Sequence, residues 1–211
     1  MTPTNSPSRG GESEKPLNII LLGDPAAGKA THGKALVKKY HLYDLDMGHE
    51  LRALDRNPIL KKKYRLGKTL DRGKLTPTQL VRKLLHDRIQ TTPKTQGILF
   101  NGTPKMLGEA ELVTKWLKQK KRNRILFIYL SIPLKETIHR MTSRNTYFRG
   151  KFSKRPDDND QALRNRLAYY KKNISEVVNF FKQRYPFIKI STLGTIPMAK
   201  KRLINKVKRY A

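Results

Sequence analysis

The 211-residue chain contains no cysteine. Without thiols it cannot form a disulfide scaffold, a cysteine nucleophile or a zinc site with thiolate ligands. It also lacks any apolar run near the roughly 18 residues that span a bilayer, and its N-terminus has no apolar core of a secretion signal. We therefore expect a protein without a membrane partner, located in the cytoplasm.

Acidic residues are scarce, with 16 Asp and Glu against 46 Lys and Arg, so the formal net charge is +30. Such a charge favours a polyanionic partner, because a dense positive field attracts nucleic acid. The alternative is that lysine-rich surfaces only keep the chain in solution. Basic runs at 61–65, 118–124 and 200–209 bind RNA only if the fold brings them to one surface.

The order of apolar and polar segments predicts one α/β domain. Residues 1–15 are rich in Ser, Thr, Pro and Gly and are predicted to be a disordered tail, so the folded domain is 16–211. Short apolar runs at 17–22, 97–100, 125–132 and 187–191, and a weaker one at 42–46, are typical of buried strands. Helical spacing between them, as in 76–90 and 160–185, predicts a central parallel sheet of about five strands with helices on both faces.

A glycine-rich loop directly follows the first predicted strand and precedes a helical stretch. Two glycines separated by four residues and followed by lysine predict a loop whose backbone N–H groups surround a phosphate, with Lys29 reaching the outer phosphates. The alternative is an ordinary glycine turn. Ala30 replaces the usual magnesium-binding hydroxyl residue, and Thr31 comes one position later.

With Pro25 and Thr31, this P-loop resembles the Gly-x-Pro-Gly-x-Gly-Lys-Gly-Thr loop of the adenylate kinase family of nucleoside monophosphate kinases. Ala26 and Ala30 replace glycines of that pattern, and Ala26 is costly if its backbone needs a positive φ. The resemblance covers about residues 17–200 and implies a three-layer P-loop fold with two small lid insertions. It implies that ATP is bound by Gly23, Ala26, Ala27, Gly28, Lys29, Ala30 and Thr31.

The segment from Asp46 to Arg52 resembles the family's Thr-Gly-Asp-x-Leu-Arg segment. The resemblance implies that Arg52 holds the phosphate of the monophosphate, a task that suits a bidentate guanidinium, with Met47 and Gly48 beside it. Leu75 and Thr76 lie in a stretch similar to the family's Gly-x-Leu-Val and are expected to line the base. Residues 52–73 would form the monophosphate-binding lid.

The stretch from Asn101 to Lys105 stands where the family has Asp-Gly-Phe-Pro-Arg. The resemblance implies that Gly102 and Lys105 contact the acceptor monophosphate. Lys105 keeps a positive charge without the guanidinium fork, and Asn101 removes an anion that organises water around magnesium. We expect Mg²⁺ to be held through nucleotide and water near Thr31 and Asn101, with slower catalysis or weaker magnesium binding.

Four arginines match the spacing of the family's ATP lid, which would occupy residues 140–166 and is too short for a zinc knuckle. Converging cations suit phosphoryl transfer, because they counter the charge on the moving group. The resemblance implies that Lys29 and these arginines act in catalysis, with the first two of them binding ATP and the last two also contacting the monophosphate: Arg140, Arg144, Arg155 and Arg166.

Glu109 stands where adenylate kinases have a glutamine that reads adenine. An ionised carboxylate only accepts hydrogen bonds, which suits the two donors of guanine better than adenine. AMP is the first choice of acceptor by resemblance, and GMP and CMP stay open. The remaining alternative is that Glu109 points into solvent at a helix start.

The resemblance implies a cytoplasmic, monomeric phosphotransferase of nucleotide biosynthesis that catalyses ATP + AMP = 2 ADP by direct in-line transfer, with Mg²⁺ and ATP as the bound species. A second hypothesis is a catalytically weakened kinase fold that binds RNA or ribosomes, motivated by the substitutions and the charge. The five histidines show no metal-ligand spacing.

Overall fold

A computed structural model describes residues 15–64, 78–143, 146–148, 151–153 and 160–211. In chain order its elements are β1 (Asn18–Gly23), α1 (Lys29–Tyr40), β2 (Tyr43–Asp46), α2 (Met47–Asp55), α3 (Pro58–Tyr64), α4 (Thr78–Thr91), β3 (Ile98–Asn101), α5 (Leu107–Gln119), β4 (Ile125–Ser131), α6 (Leu134–Ser143), β5 (Thr146–Phe148), β6 (Lys151–Ser153), α7 (Asp160–Lys182), β7 (Phe187–Ser191) and α8 (Ile196–Val207).

The central sheet has five parallel strands in the order β2-β3-β1-β4-β7. All six residues of β1 are buried, because this strand pairs on both sides and is covered on both faces. The five predicted apolar runs correspond to these strands, and the predicted parallel sheet is confirmed.

Alternate residues of the sheet enter two separate cores. Ile19 and Leu21 pack with residues of α1 and α8, such as Leu36 and Leu203. On the other face, Ile20 and Leu22 belong to a cluster that draws its helical residues from α2, α4, α5 and α7. This alternation follows from the two-residue period of a strand, and it confirms the three-layer architecture.

Several element ends differ slightly from the sequence prediction, and two of these differences have a clear physical reason. The run predicted over 125–132 ends at Ser131, because the Ile132 N–H donates to the Asp24 carboxylate at 2.9 Å. The helix predicted over 160–185 ends at Lys182. Pro186 follows shortly and disfavours helical geometry at the residue before it.

The segment predicted as the ATP lid contains a feature that the sequence did not indicate. β5 and β6 form a separate antiparallel pair, with Tyr147 opposite Phe152. In the segment predicted as the monophosphate lid, α2 ends and α3 follows. Residues 65–77, 144–145, 149–150 and 154–159 lie outside the described part of the chain, so the bounds of both lids stay predictions.

No helix within the described ranges is both long enough and apolar enough to span a bilayer.

Candidate active site

The loop between β1 and α1 connects the central strand to a helix through a backbone with little freedom. A Cβ atom on Gly23 would lie 2.4 Å from the Leu130 carbonyl oxygen of β4, so only glycine fits there. Gly28 caps α1 with a left-handed φ of 79° and makes no side-chain capping bond. The first N–H groups of α1 therefore point into the concave side of the loop, where an anion is favoured.

Lys29 lies folded over this loop. Its ammonium donates to the carbonyl oxygens of Gly23 at 2.7 Å and Asp24 at 2.8 Å. A Cβ atom on Gly102 would lie 3.7 Å from Lys29 Cε. The lysine stem thus runs between the carboxyl ends of β1 and β3, the edge at which ligands bind in parallel sheets.

Ala26 has a φ of 59°. This value lies in the left-handed region, which is costly for a residue other than glycine. Ala27 is fully buried behind it, whereas Ala30 and Thr31 are exposed on the first turn of α1.

Asp24 anchors the loop to β4 instead of facing the phosphate position. Its carboxylate accepts from the Tyr129 hydroxyl at 2.6 Å and from the Ile132 N–H at 2.9 Å. Tyr129 also bonds to the Tyr170 hydroxyl at 2.6 Å, and because its single proton goes to Asp24, Tyr170 must be the donor. Burial raises the pKa of both tyrosines, so both hydroxyls stay protonated.

Thr192 joins the loop to α6. Its hydroxyl donates to the Ala27 carbonyl at 3.0 Å, and its own carbonyl accepts from the Arg140 guanidinium at 3.0 Å. Arg140 also donates to Glu136 on the same helix at 2.5 Å. Arg140 is therefore held beside the phosphate-binding loop by the segment after β7.

His32 lies beneath the loop and is almost completely buried. A Cβ atom on Gly28 would lie 3.1 Å from the His32 ring. Burial lowers the pKa of His32, and the nearby charges of Arg140 and Arg202 lower it further. The imidazole is therefore neutral near pH 7, and it supports the loop by packing.

Asn101 ends β3 and its amide donates to the Asp44 carboxylate of β2 at 3.3 Å. Burial raises the pKa of Asp44, and the bond from Asn101 partly offsets that effect. A Cβ atom on Gly33 would lie 2.8 Å from the Asn101 amide nitrogen, so α1 packs directly on this side chain. A carboxyl group, that of Asp44, thus stands next to Asn101.

Arg52 lies on α2 with its guanidinium folded toward Gly48, where a Cβ atom would lie 3.1 Å from Nη1. Asp46 caps this helix by accepting from the His49 N–H at 3.0 Å. Two residues before Arg52, Glu50 accepts a bidentate pair of bonds from Arg88 of α4, at 2.9 and 3.1 Å. That ion pair fixes the helix that carries Arg52.

Glu109 is buried at the start of α5, with 4% of its surface exposed. Its carboxylate accepts from the Lys105 N–H at 3.1 Å. Burial raises the pKa of Glu109, and bonds from the Lys105 and Met106 backbone lower it again. The alternative that Glu109 points into solvent is wrong, because the carboxylate caps the segment that carries Lys105.

The geometry above combines a phosphate-binding loop with basic residues on two neighbouring segments. A model of the adenylate kinase family matches residues 21–185. The chain belongs to the adenylate kinase family. The adenylate kinase of Phocaeicola vulgatus is 29% identical over 184 residues, which cover 85% of this chain and 92% of that protein. The adenylate kinase of Bacteroides thetaiotaomicron is 30% identical with the same two coverages, and that of Flavobacterium psychrophilum is 31% identical over 189 residues, 89% of this chain and 96% of that protein.

Not every residue predicted from the adenylate kinase resemblance can be placed. Leu75, Thr76, Arg144 and Arg155 lie outside the described residues. Arg166 lies on α7, but its side chain is outside the described part. The convergence of the four lid arginines therefore stays a prediction, with Arg140 the member whose contacts are described. Within the described ranges there is no cluster of three or more His, Asp or Glu residues suited to a metal.

Four residues that support the adenylate kinase site were not predicted from the sequence: Asp24, Tyr129, Tyr170 and Thr192. Asp24 stands in the recognised loop, but its partner Tyr129 is 105 residues away. Thr192 and Ala27 are 165 residues apart. A single sequence carries no signal for such pairs, apart from a tyrosine that interrupts the apolar run of β4.

Proposed function

We propose that the chain transfers the γ-phosphoryl group of ATP to AMP directly and in line, giving two ADP, with the loop after β1 as its ATP site. Its family makes it an ATP-dependent nucleoside monophosphate kinase. The phosphate-binding loop carries the proposal for the site, because a lysine, a helix N-terminus and Gly102, which directly follows the neighbouring strand β3, meet there.

On the ATP side, the N–H groups of residues 26–31 would donate to the outer phosphates and the ammonium of Lys29 would neutralise them. Lys29 already lies over the loop through two carbonyl contacts. These carbonyls orient the ammonium before the phosphate arrives. Positioning of this kind lowers the barrier, since little rearrangement is left for the transfer step.

On the acceptor side, Arg52 and Lys105 would hold the phosphate of AMP, with Gly48 and Gly102 allowing close approach. Arg52 lies on a helix fixed by the Glu50–Arg88 pair. Lys105 lies on a segment capped by Glu109. Both cations thus come from segments with defined anchors, as accurate alignment of two phosphates requires.

The ATP lid would supply Arg140 together with Arg144, Arg155 and Arg166 to counter the charge on the transferring group. Closure of this segment would exclude water and so prevent hydrolysis of ATP. Support comes from Arg140, which contacts the segment bonded to the phosphate-binding loop.

The residues near the loop fit a hydrated magnesium ion bound mainly through nucleotide phosphates. Thr31 exposes a hydroxyl on the first turn of α1, and the Asp44 carboxylate stands beside Asn101. Oxygen ligands of this kind suit Mg²⁺, which keeps several waters. When bound, the ion would neutralise phosphate charge.

The experiment that tests the site is a coupled assay of ADP formation with the Lys29→Met variant. Loss of the ammonium should lower kcat by about 10²–10³-fold, because it removes a charge placed to stabilise the transition state. Lys38→Met removes the same charge from the far end of α1 and should leave kcat unchanged. Equal activity of both variants would overturn the assignment of Lys29.

The acceptor is tested with steady-state rates on AMP, GMP, CMP and UMP. We expect kcat/KM to be highest for AMP, as the family indicates, and the Glu109→Gln variant to keep that order. Higher kcat/KM for GMP or CMP would overturn AMP as the acceptor. A chain without turnover on any monophosphate would restore the hypothesis of a kinase fold that only binds RNA, which the family match does not favour.

We also propose that the protein is a monomer, which light scattering after gel filtration would test.

A further inference from the structure

One edge of the sheet collects positive charge, and it is the edge opposite the phosphate-binding loop. Five helices end at this edge because they run antiparallel to the strands: α1, α4, α5, α7 and α8. We call this surface the rear edge and define it by residues 37–42, 88–97, 115–124, 180–186 and 203–211 with Lys15. These stretches contain no aspartate and no glutamate.

Every stretch of the rear edge exposes at least one lysine or arginine. In the stretch 88–97 the exposed cation is Lys94, which lies in the loop after α4. The exposed cations include Lys38 and Lys39 in α1, Lys118 and Lys121 around the end of α5, and Lys208 and Arg209 after α8. Lys182 and Arg184 add to them beside β7.

Hydrogen bonds join these stretches into one surface. The buried Arg122 donates to the carbonyls of Thr92, Pro93 and Gln96, at 2.6 to 2.7 Å. Gln96 in turn donates to the His41 carbonyl after α1 at 3.3 Å. The loops after α1, α4 and α5 are therefore held side by side.

Arg124 adds two further segments to this surface, the one at Lys15 and the one after α8. Arg124 donates to the carbonyl of Lys15 at 3.2 Å and to that of Tyr210 at 3.0 Å. Basic runs that are far apart in sequence, 118–124 and 200–209, therefore meet on one surface at their last residues.

Most of the described carboxylates lie elsewhere, and Glu50, which pairs with Arg88, is an exception. Asp24, Asp46, Glu109 and Glu136 follow the carboxyl ends of strands, at the catalytic edge. Asp87 of α4 is paired with Lys83. One cation near the end of a helix is accounted for by the helix dipole. Several exposed cations per helix end, which outnumber the carboxylate of Glu50 at Arg88, produce a field that a polyanion would neutralise.

The dimensions and the polarity of the rear edge indicate which kind of polyanion this surface would bind. Five strands about 4.8 Å apart make an edge about 20 Å wide, the length of about six phosphates at 3.4 Å each. The large apolar residues that are exposed, such as Ile59, Leu134, Ile138 and Met198, lie outside the rear edge, and Tyr210 is the exception. A membrane surface usually requires an apolar anchor as well as charge, so the rear edge fits a phosphate chain better.

We propose that the rear edge binds a nucleic acid through its phosphodiester backbone and without reading base sequence. The phosphate-binding loop then stays on the opposite edge, open to its substrates. This binding is independent of phosphoryl transfer, because none of the cations replaced in the test below belongs to the proposed active site, and Arg88, which positions α2, is left unchanged.

The test is fluorescence anisotropy of a labelled 20-nucleotide single-stranded RNA of mixed sequence, from 50 to 300 mM NaCl. The variant K118Q/K121Q/K208Q removes three exposed rear-edge charges, and K135Q/K200Q/K201Q removes three exposed charges elsewhere. The rear-edge variant should bind more than about tenfold more weakly at 100 mM salt, with a salt slope smaller by up to about 2. The control variant should lose less than about twofold.

Circular dichroism and the rate with ATP and AMP show whether the variants are folded, and the rear-edge variant should keep the wild-type rate. Duplex DNA of the same length should follow the same order of variants, because the phosphate chain is shared. Equal losses in both variants would overturn the proposal, since diffuse charge would then suffice. Absence of RNA binding at 100 mM salt, or binding to phosphatidylserine vesicles without binding to RNA, would also overturn it.

Discussion

Ala26 is the residue at which the backbone of the phosphate-binding loop is most strained. Its φ of 59° lies in the left-handed region, where a Cβ atom costs about 1–2 kcal/mol. The family pattern has glycine at this place, and the sequence alone raised the question of whether the backbone needs it. The structure shows the positive φ, so the cost is present in the folded chain.

The Ala26→Gly variant should gain stability, because glycine adopts this conformation without strain. We expect the free energy of unfolding to rise by about 1 kcal/mol and Tm to rise by about 2–4 °C. Thermal unfolding followed by circular dichroism measures it. Ala35→Gly, in the middle of α1, should instead lose about 1 kcal/mol. A fall in Tm for Ala26→Gly would show that the positive φ of Ala26 does not destabilise the folded chain.

Tyr129 shows how a residue outside the motif positions the loop. Its hydroxyl connects Asp24 of the loop to Tyr170 of α7. Removing that hydroxyl leaves a carboxylate oxygen and a buried hydroxyl without this partner, and unpaired buried polar groups are costly.

We therefore expect Tyr129→Phe to lower the free energy of unfolding by about 1–3 kcal/mol and to raise the KM for ATP more than the KM for AMP. Denaturant unfolding and steady-state kinetics measure the two effects. Tyr40→Phe is the matched control, since the buried Tyr40 hydroxyl has no hydrogen-bond partner among the described residues. Equal losses in the two variants would show that Tyr129 acts only through packing.

Among the elements, α2 depends on α4 for its position. Arg88 of α4 holds Glu50 of α2 in a bidentate pair, and the Tyr43 hydroxyl also contacts Glu50 at 3.4 Å. Arg52 lies about half a helical turn beyond Glu50. The ion pair therefore connects the packing of two helices to the proposed site of the monophosphate.

Arg88→Met should raise the KM for AMP with little change in the KM for ATP, and should lower stability by about 1 kcal/mol because the pair is only partly buried. Lys83→Met breaks an exposed pair with Asp87 on the same helix and should change neither KM. Kinetics with each substrate varied in turn provide the measurement. An unchanged KM for AMP in Arg88→Met would show that the Glu50–Arg88 pair does not position α2 for binding of the monophosphate.

At the scale of helices and strands, a structural feature could be predicted from the sequence when the residues of one element alone determine it. The central strands β1, β3 and β4 were predictable because each is a short apolar run that is almost wholly buried, and the loop at Lys29 because it follows one. The pairing of β5 with β6 was not, because the stretch from Thr146 to Ser153 is mixed in polarity. The bonds from Asp24 to Tyr129 and from Thr192 to Ala27 were not predictable either, since they depend on tertiary contact.

For the whole molecule, charge is unevenly divided between the two edges of the sheet. Several carboxylates follow the carboxyl ends of the strands, and exposed lysines gather at the rear edge. Part of the +30 net charge therefore destabilises the folded state, because like charges on the rear edge repel one another. Salt weakens this repulsion beyond the screening length, which is about 10 Å at 0.1 M.

We expect Tm to rise by about 2 °C or more between 20 and 300 mM NaCl, corresponding to less than about 1 kcal/mol. Differential scanning calorimetry measures it. The K118Q/K121Q/K208Q variant should show a smaller rise, because part of the repulsion is gone. A Tm that does not change with salt would mean that repulsion at the rear edge contributes no measurable instability.

Arg122 gives the rear edge a property that ion pairs lack. Its guanidinium is held by three backbone carbonyls from the loop after α4, and none of these acceptors can take up a proton in the range where carboxylates do. Burial raises the pKa of Glu109, so acid that protonates this carboxylate would weaken the bond that caps the Lys105 segment, yet it would leave this junction intact. Acidification should thus loosen the molecule first at its substrate side and last at the joined loops behind the sheet.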